Sequence, residues 1–212
     1  LLHECLEPKI YLETGVEHGY SFRNARGAEI AIGIDPQMGN IPPEFHHWGR
    51  LFVMTSDDFF AAGHYEDTCG DRRIDTAFID GMHRFEYALR DFINVERRAN
   101  AKSVVLIHDI IPMNIATAER SRRTAVWMGD VWKIMMALTH HRPELELAVI
   151  DVGPSGLAVV RGLDPSNTVL ATKYDEIVAD LMDRPLIHGF LDNLGVRRVK
   201  AEESEIRAFL AS

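Results

Sequence analysis

Short apolar runs alternate with amphipathic stretches along the first half of the chain, and this alternation constrains the fold more than any other feature. It is typical of βαβ units that build a mostly parallel sheet with helices on both faces. Several runs lack polar alternation, which indicates strands that are covered on both faces. The runs occupy residues 10–12, 30–34, 51–54, 74–79 and 104–107. We therefore expect an α/β fold with a Rossmann-like, doubly wound sheet.

The second half of the chain changes in pattern. Residues 84–99 place four apolar side chains on one helical face and predict a helix laid against the sheet. Segment 109–130 is long for a loop, so we expect it to cover something or to carry a short helix. A further helix is expected to begin near Asp130 as its N-cap. Residues 145–161 contain two strand-like runs around Gly153-Pro154-Ser155-Gly156 and predict an antiparallel hairpin.

Length and charge limit the class of protein. The 212 residues fit one domain of ordinary size, and we expect residues 1–164 as the main domain and 165–212 as its C-terminal helical extension. The net charge of -9 argues against general binding to nucleic acid or to anionic membranes. No apolar run approaches the roughly 20 residues of a membrane span. Cys5 and Cys69 have no metal-type spacing and suit a reducing cytosol, so a cytoplasmic location is expected.

A glycine turn follows the first run, in the pattern Glu13-x-Gly15-x-x-x-Gly19. Asp35 follows the second run, 20 residues beyond Gly15, where a carboxylate can accept the ribose hydroxyls of a nucleoside. Glu17 stands where the middle glycine of a dinucleotide fingerprint would admit a pyrophosphate. Acids on both sides of the turn favour a ligand with a positive end, such as an amino group or a sulfonium. The alternative is that the glycines only shape a strand-to-helix turn.

Ser56-Asp57 ends the third run and would lie beside the same crevice, where an adenine could be held. An N-cap for the helix that begins near Asp58 explains this pair about as well.

Carboxylates also follow the fourth and fifth runs, Asp80 in Asp80-Gly81-Met82-His83 and Asp109 after His108. Strand ends at one sheet edge carry the chemistry of such folds, and two carboxylates there suit a hard divalent cation. His83 is a candidate general base for a hydroxyl, since its ordinary pKa is near neutrality. Each residue also has a structural explanation, a helix cap for Asp80 and a turn for Asp109.

These residues resemble the class I S-adenosylmethionine-dependent methyltransferases. "YLETGVEHGYSF" and "IGIDP" are similar to the first motif and to the ribose-binding strand end. "DTAFIDGMHRFEYALRDF" followed by "VVLIHD" resembles the methyltransferase domain 24 type, which includes macrocin and other sugar O-methyltransferases. Catechol O-methyltransferases and cephalosporin-hydroxylase-type proteins are more distantly similar. The resemblance implies seven strands, of which the last is antiparallel.

The resemblance also implies a cofactor and roles for the candidate residues. S-adenosylmethionine would be the cofactor, and His83 would be the general base. Asp80 and Asp109 would bind a Mg²⁺ ion that assists the reaction. The implied cofactor-binding residues are Glu13, Gly15, Gly19, Ser21, Asp35, Asp57 and Asp80.

The expected activity is O-methylation of a hydroxyl on a small molecule, either a sugar or a phenolic natural product. The acceptor is expected under segment 109–130, where Trp127 and Trp132 could stack on a ring and Arg120, Arg122 and Arg123 could meet an anion. No nucleic acid or membrane partner is expected, and a homo-oligomer is a possibility. The alternatives are a hydroxylase-like relative and an adenosine-ligand-binding regulatory protein. A redox centre has no clear two-histidine-plus-acid set to support it.

Overall fold

Eight strands form a single sheet in the computed structural model of the protein, which describes residues 1–211. The strands are β1 (Ile10–Thr14), β2 (Ile30–Ile34), β3 (Gly49–Phe52), β4 (Thr76–Ile79), β5 (Val104–His108), β6 (Glu146–Asp151), β7 (Leu157–Arg161) and β8 (Arg197–Lys200). Their order across the sheet is β3-β2-β1-β4-β5-β7-β6-β8. The predicted α/β class is confirmed, and each of the five apolar runs contributes to one of the strands β1 to β5.

Pairing in the sheet is parallel except at β7, which runs antiparallel to both β5 and β6. The hairpin predicted at residues 145–161 is therefore confirmed. The predicted count of seven strands is wrong, because β8 adds an eighth strand parallel to β6 at the sheet edge. The antiparallel strand is thus the seventh but not the last. In β8 only Val199 is buried between charged neighbours, so the strand carries too little apolar pattern to be read from the sequence.

Ten helices accompany the sheet in the described residues. They are α1 (Leu2–Leu6), α2 (Phe45–Trp48), α3 (Ser56–Ala61), α4 (His64–Cys69), α5 (Phe85–Glu96), α6 (Lys133–His141), α7 (Val169–Thr172), α8 (Tyr174–Leu181), α9 (Phe190–Asn193) and α10 (Glu203–Ala211). Within the described residues, no helix is long and apolar enough to cross a bilayer. The predicted helix at 84–99 is α5, which buries Phe85, Leu89 and Phe92 completely.

Asp130 does not begin the next helix as expected. α6 starts at Lys133, and its N-cap position is Trp132. Asp130 is instead a buried acid whose Oδ1 accepts the backbone N–H of Phe85, at the first turn of α5, at 3.1 Å. The prediction was wrong because an aspartate can either cap its own helix or accept a backbone N–H of another helix. The residue type alone does not distinguish the two. Segment 109–130 does contain a short 3-10 helix, Ala116–Ala118, as predicted.

Candidate active site

The glycine turn packs directly against the end of β4. Gly15 has φ +87, and a Cβ on it would lie 1.9 Å from the backbone oxygen of Asp80. The N–H of Asp80 donates in turn to the carbonyl of Thr14, at 2.9 Å. Gly19 has φ +74, and a Cβ there would meet the ring of Phe45 at 2.6 Å. Both predicted glycines are therefore required by local packing, and Gly15 brings the turn next to Asp80.

Asp35 holds the turn in place from the end of β2. Its carboxylate accepts the backbone N–H of Glu17 at 2.9 Å and that of Gln37 at 2.7 Å. Glu17 has φ +46, in the left-handed region that few residues other than glycine adopt. Each oxygen of Asp35 uses one acceptor position and keeps a second. Asp35 can thus orient the turn and still accept hydroxyl groups of a ligand.

Glu13 belongs to β1, just before the turn, and is enclosed by the protein. Its side chain is fully buried, and its two oxygens accept the hydroxyls of Tyr11 at 2.6 Å and Ser21 at 2.5 Å. Burial raises the pKa of Glu13 from its ordinary value of 4.5 to about 8, because the two hydrogen bonds only partly offset the loss of hydration. Glu13 was expected to touch a cofactor but is enclosed by the protein, whereas Ser21 is only partly buried and its contact with a cofactor stays a prediction.

Replacement of Glu13 by glutamine is expected to stabilise the protein at pH 8.5 but not at pH 4.5. An acid whose pKa is higher in the folded state favours folding fully below pH 4.5, and this contribution is lost as pH rises to about 8. The neutral amide does not ionise, so the difference between the two proteins should grow across this window to the order of 3 kcal/mol. Urea unfolding of both proteins at several pH values measures it. A difference that does not change with pH would contradict the buried, neutral acid.

The carboxylate of Asp57 forms an ion pair with an arginine of the protein. The pair with Arg90 of α5 is forked, with Nη2 at 2.6 Å from Oδ2 and Nε at 3.0 Å from Oδ1. The N-cap of α3 is Thr55, whose hydroxyl accepts the N–H of Asp58. The structure thus gives Asp57 a structural partner, and its predicted contact with an adenine stays a prediction.

The predicted cluster of Asp80, His83 and Asp109 does assemble at the carboxyl ends of β4 and β5. His83 Nε2 lies 3.7 Å from Asp80 Oδ1, and His83 Nδ1 lies 3.0 Å from Asp109 Oδ2. Asp109 is almost completely buried and has φ +62, a conformation that is uncommon outside glycine. Neighbouring parallel strands bring these three residues together, as their positions at strand ends predicted.

A backbone carbonyl sets the tautomer of His83. Nδ1 lies 2.7 Å from the carbonyl oxygen of Trp127, and a carbonyl can only accept, so Nδ1 carries the proton. The lone pair is then on Nε2. The indole of Trp127 stacks on the imidazole, with ring centroids 5.2 Å apart and planes 19° from parallel. Burial alone would lower the pKa of His83, but the carboxylates of Asp109 and Asp80 raise it above its ordinary value.

Asp109 keeps one oxygen without a hydrogen-bond donor. Oδ2 of Asp109 is shielded from solvent and has no hydrogen-bond partner. The nearby N–H of His83 Nδ1 donates to the carbonyl of Trp127 instead. Burial by itself would raise the pKa of Asp109, yet the neighbouring His83 and His108 hold it below its ordinary range. The carboxylate is thus buried and ionised, and its Oδ2 faces the His83 ring without a hydrogen bond of its own, which is compatible with a metal ligand.

The donor set fits a divalent cation. Asp80, His83 and Asp109 each offer one ligand atom, and all three atoms lie within 4.8 Å of one another. The two carboxylates suit Mg²⁺.

His108 and Ser155 complete this cluster and were not identified as site residues from the sequence. His108 Nδ1 lies 3.1 Å from Asp80 Oδ1, and its Nε2 lies 3.2 Å from the hydroxyl of Ser155. Both ring nitrogens are therefore engaged by the protein. The structure thus supplies a second histidine beside the two acids, contrary to the sequence reading.

Comparison with known proteins agrees with this arrangement. Residues 12–110 match the family model of a methyltransferase domain. The match covers slightly less than half of the chain, so this part of it is similar to a methyltransferase domain. The matched range contains the glycine turn, Asp35, and the cluster of Asp80, His83 and Asp109.

Solved structures share the fold of the methyltransferase domain at low identity. The O-methyltransferase TomG of Streptomyces achromogenes, which is involved in tomaymycin synthesis and was solved with SAM, is 16% identical, with TM-score 0.54 and 77% of each chain covered. An O-methyltransferase of Bacillus cereus in complex with SAH is 13% identical, with TM-score 0.56, over 76% of this chain and 77% of the other. The SAH-bound methyltransferase PaMTH1 of Podospora anserina is 14% identical, with TM-score 0.53, over 77% and 75%. No curated protein matches the chain in sequence.

The segment that follows the methyltransferase motifs, residues 109–130, uses its arginines within the protein. Arg120 binds Glu86 at 2.5 Å and Asp130 at 2.7 Å. Arg122 donates to the carbonyl of Ala125, and Arg123 pairs with Glu119. Arg120 is thus held by two carboxylates, whereas Arg122 and Arg123 are exposed and their contact with an anion stays a prediction.

The two tryptophans near this segment differ in position. Trp132 is buried and packs edge-on against Phe190, so it cannot stack on a ligand as expected. Trp127 does stack on a ring, but that ring is His83.

Proposed function

We propose that the protein is an S-adenosylmethionine-dependent O-methyltransferase that acts on a small molecule. The observation that carries this proposal is the contact between the glycine turn and the acidic cluster, since Gly15 and Asp80 meet through their backbones. A cofactor seated on the turn would present its reacting end to His83. The solved structures with SAM or SAH bound share this fold, which supports the choice of cofactor.

The chemistry requires an acceptor hydroxyl to lose a proton as it attacks the methyl carbon. The new bond joins the acceptor oxygen to the methyl group, the carbon–sulfur bond breaks, and its electron pair stays on the sulfur, which becomes a neutral thioether. His83 Nε2 carries the lone pair that takes the hydroxyl proton, because Trp127 fixes the proton on Nδ1. Positioning of the two reactants supplies much of the remaining rate enhancement.

Asp80 and Asp109 would hold a divalent cation such as Mg²⁺, which would make the acceptor hydroxyl more acidic when bound. The buried Oδ2 of Asp109, which has no hydrogen-bond partner, supports this assignment. His108 donates to Asp80 from Nδ1 and thereby fixes the orientation of that carboxylate.

Removal of either carboxylate is expected to weaken binding of Mn²⁺, used as a probe for the cation, by at least about 100-fold. Loss of an outer-shell partner alone costs roughly 10- to 100-fold, and a direct ligand should cost more. Titration of Asp80→Ala and Asp109→Ala, followed by electron paramagnetic resonance, measures this. Asp67→Ala, which removes an exposed carboxylate of α4, is the control. Equal Mn²⁺ affinity in the wild type and all three variants would show that Asp80 and Asp109 do not bind the cation.

The proposal as a whole is tested by acceptor-dependent release of S-adenosylhomocysteine. The protein is incubated with S-adenosylmethionine and a panel of sugar and phenolic hydroxyl compounds, and the product is quantified by mass spectrometry. Release that depends on one acceptor, together with a mass gain of one methyl group on that acceptor, is expected. Cofactor binding without transfer to any acceptor would favour the regulatory-protein alternative.

A further inference from the structure

Large apolar side chains are exposed mainly at one edge of the molecule. Ten such side chains are exposed among the described residues, and seven of them follow the carboxyl ends of parallel strands. The seven are Tyr20, Val53, Met82, Met113, Ile115, Val126 and Val152, and the other three are Leu1, Val169 and Ile187. Single exposed apolar side chains are ordinary, but several of them on the loops next to a candidate base indicate a binding surface.

Four of these side chains belong to the two loops that carry and hold His83. Met82 precedes His83 directly, and Val126 precedes Trp127, whose carbonyl binds His83. Met113 and Ile115 lie in the same segment as Val126. The N–H of Met128 donates to the carbonyl of Thr117, which folds this segment back on itself. The apolar surface is therefore continuous in the chain with the candidate base.

The position of this surface indicates what would cover it. The cofactor is charged and polar, and the turn and Asp35 supply polar groups for it. Arg120 of segment 109–130 is held by Glu86 and Asp130, and the exposed side chains next to His83 and Trp127 in the chain, Met82 and Val126, are apolar. Exposed fractions of 72% for Ile115 and 60% for Met113 leave a large apolar area uncovered.

We infer that the methyl acceptor is a hydroxyl compound with a predominantly apolar body, such as a phenol, and not a free sugar. This inference rests on the proposed function and narrows its substrate class. The apolar edge would bind the body of the acceptor by excluding water, while the hydroxyl reaches Nε2 of His83.

The experiment measures binding of 2-naphthol and of methyl α-glucoside by equilibrium dialysis, with and without S-adenosylhomocysteine. Two double variants are compared, Ile115→Ser with Val126→Ser at the apolar edge, and Val169→Ser with Ile187→Ser elsewhere. All four side chains are exposed, so neither variant removes a core residue. We expect 2-naphthol to bind at least about tenfold more weakly to the first variant and equally to the second, since one methylene in an apolar pocket already changes affinity about tenfold or more. Methyl α-glucoside should show no binding.

Three outcomes would overturn the inference. The glucoside could bind as well as 2-naphthol, or 2-naphthol could bind equally to all variants. The wild-type protein could also form a dimer that only the edge variant disrupts, with no change in 2-naphthol binding, and the apolar edge would then be a contact between copies. Affinity for S-adenosylhomocysteine, measured in the same samples, reports on the cofactor site separately. A wild-type protein that does not bind S-adenosylhomocysteine would contradict the proposed function, whether or not 2-naphthol binds.

Discussion

Replacement of His83 by alanine is expected to lower the turnover number of methyl transfer by about 10²–10⁴-fold, the usual range for loss of a general base. This corresponds to about 3–5 kcal/mol of transition-state stabilisation. The reason is geometric: Trp127 fixes the proton of His83 on Nδ1, and Nε2 carries the only lone pair of that ring. Affinity for S-adenosylhomocysteine should be nearly unchanged, because the cofactor turn is held by Asp35 and by the end of β4.

The control for this variant is His46→Ala, which removes an exposed histidine of α2. Turnover and cofactor affinity are measured separately, by initial rates and by calorimetry. If His83→Ala lost cofactor affinity to the same degree as turnover, His83 would be a structural residue. Unchanged turnover would exclude it as the base.

Replacement of Gly15 by alanine is expected to abolish cofactor binding and to destabilise the fold strongly. The added Cβ would meet the backbone of Asp80 at 1.9 Å, and backbone cannot move aside as the end of a flexible side chain can. The clash would separate the turn from the acidic cluster.

Gly63→Ala isolates the clash from the backbone strain. Gly63 has a similar φ of +77, but a Cβ there would meet nothing within 4 Å. Its replacement should cost only the strain of a left-handed alanine, about 1–2 kcal/mol, with cofactor affinity unchanged. Thermal unfolding and calorimetry with S-adenosylhomocysteine compare the two variants. Equal effects of both substitutions would show that the contact between turn and cluster has no special importance.

Strand positions could be predicted because buried parallel strands consist of continuous apolar runs. The same reasoning located the cluster, since Asp80 and Asp109 each follow such a run on neighbouring strands. β8 could not be predicted in this way, because only Val199 in it is buried. An edge strand with charged residues leaves little pattern in a sequence.

The partners of the site residues could not be predicted from spacing. Ser155 reaches His108 only because the β6–β7 hairpin turns back over the end of β5, 47 residues along the chain. The Trp127 carbonyl that orients His83 is a backbone group and has no sequence signature. Asp57 has the residue type of a ligand contact, and only the structure reveals its ion pair with Arg90. Residue types therefore indicated the chemistry, while the tertiary fold determined which groups support it.

Calorimetric titration with S-adenosylhomocysteine tests the central claim most directly, namely that the glycine turn and Asp35 form a nucleoside site. The wild-type protein, Asp35→Ala and the control Asp67→Ala are titrated with and without Mg²⁺. We expect a dissociation constant of about 1 μM for the wild type and the control, and a loss of at least about tenfold in Asp35→Ala. If the wild-type protein binds no S-adenosylhomocysteine in either condition, the methyltransferase assignment of this site is contradicted.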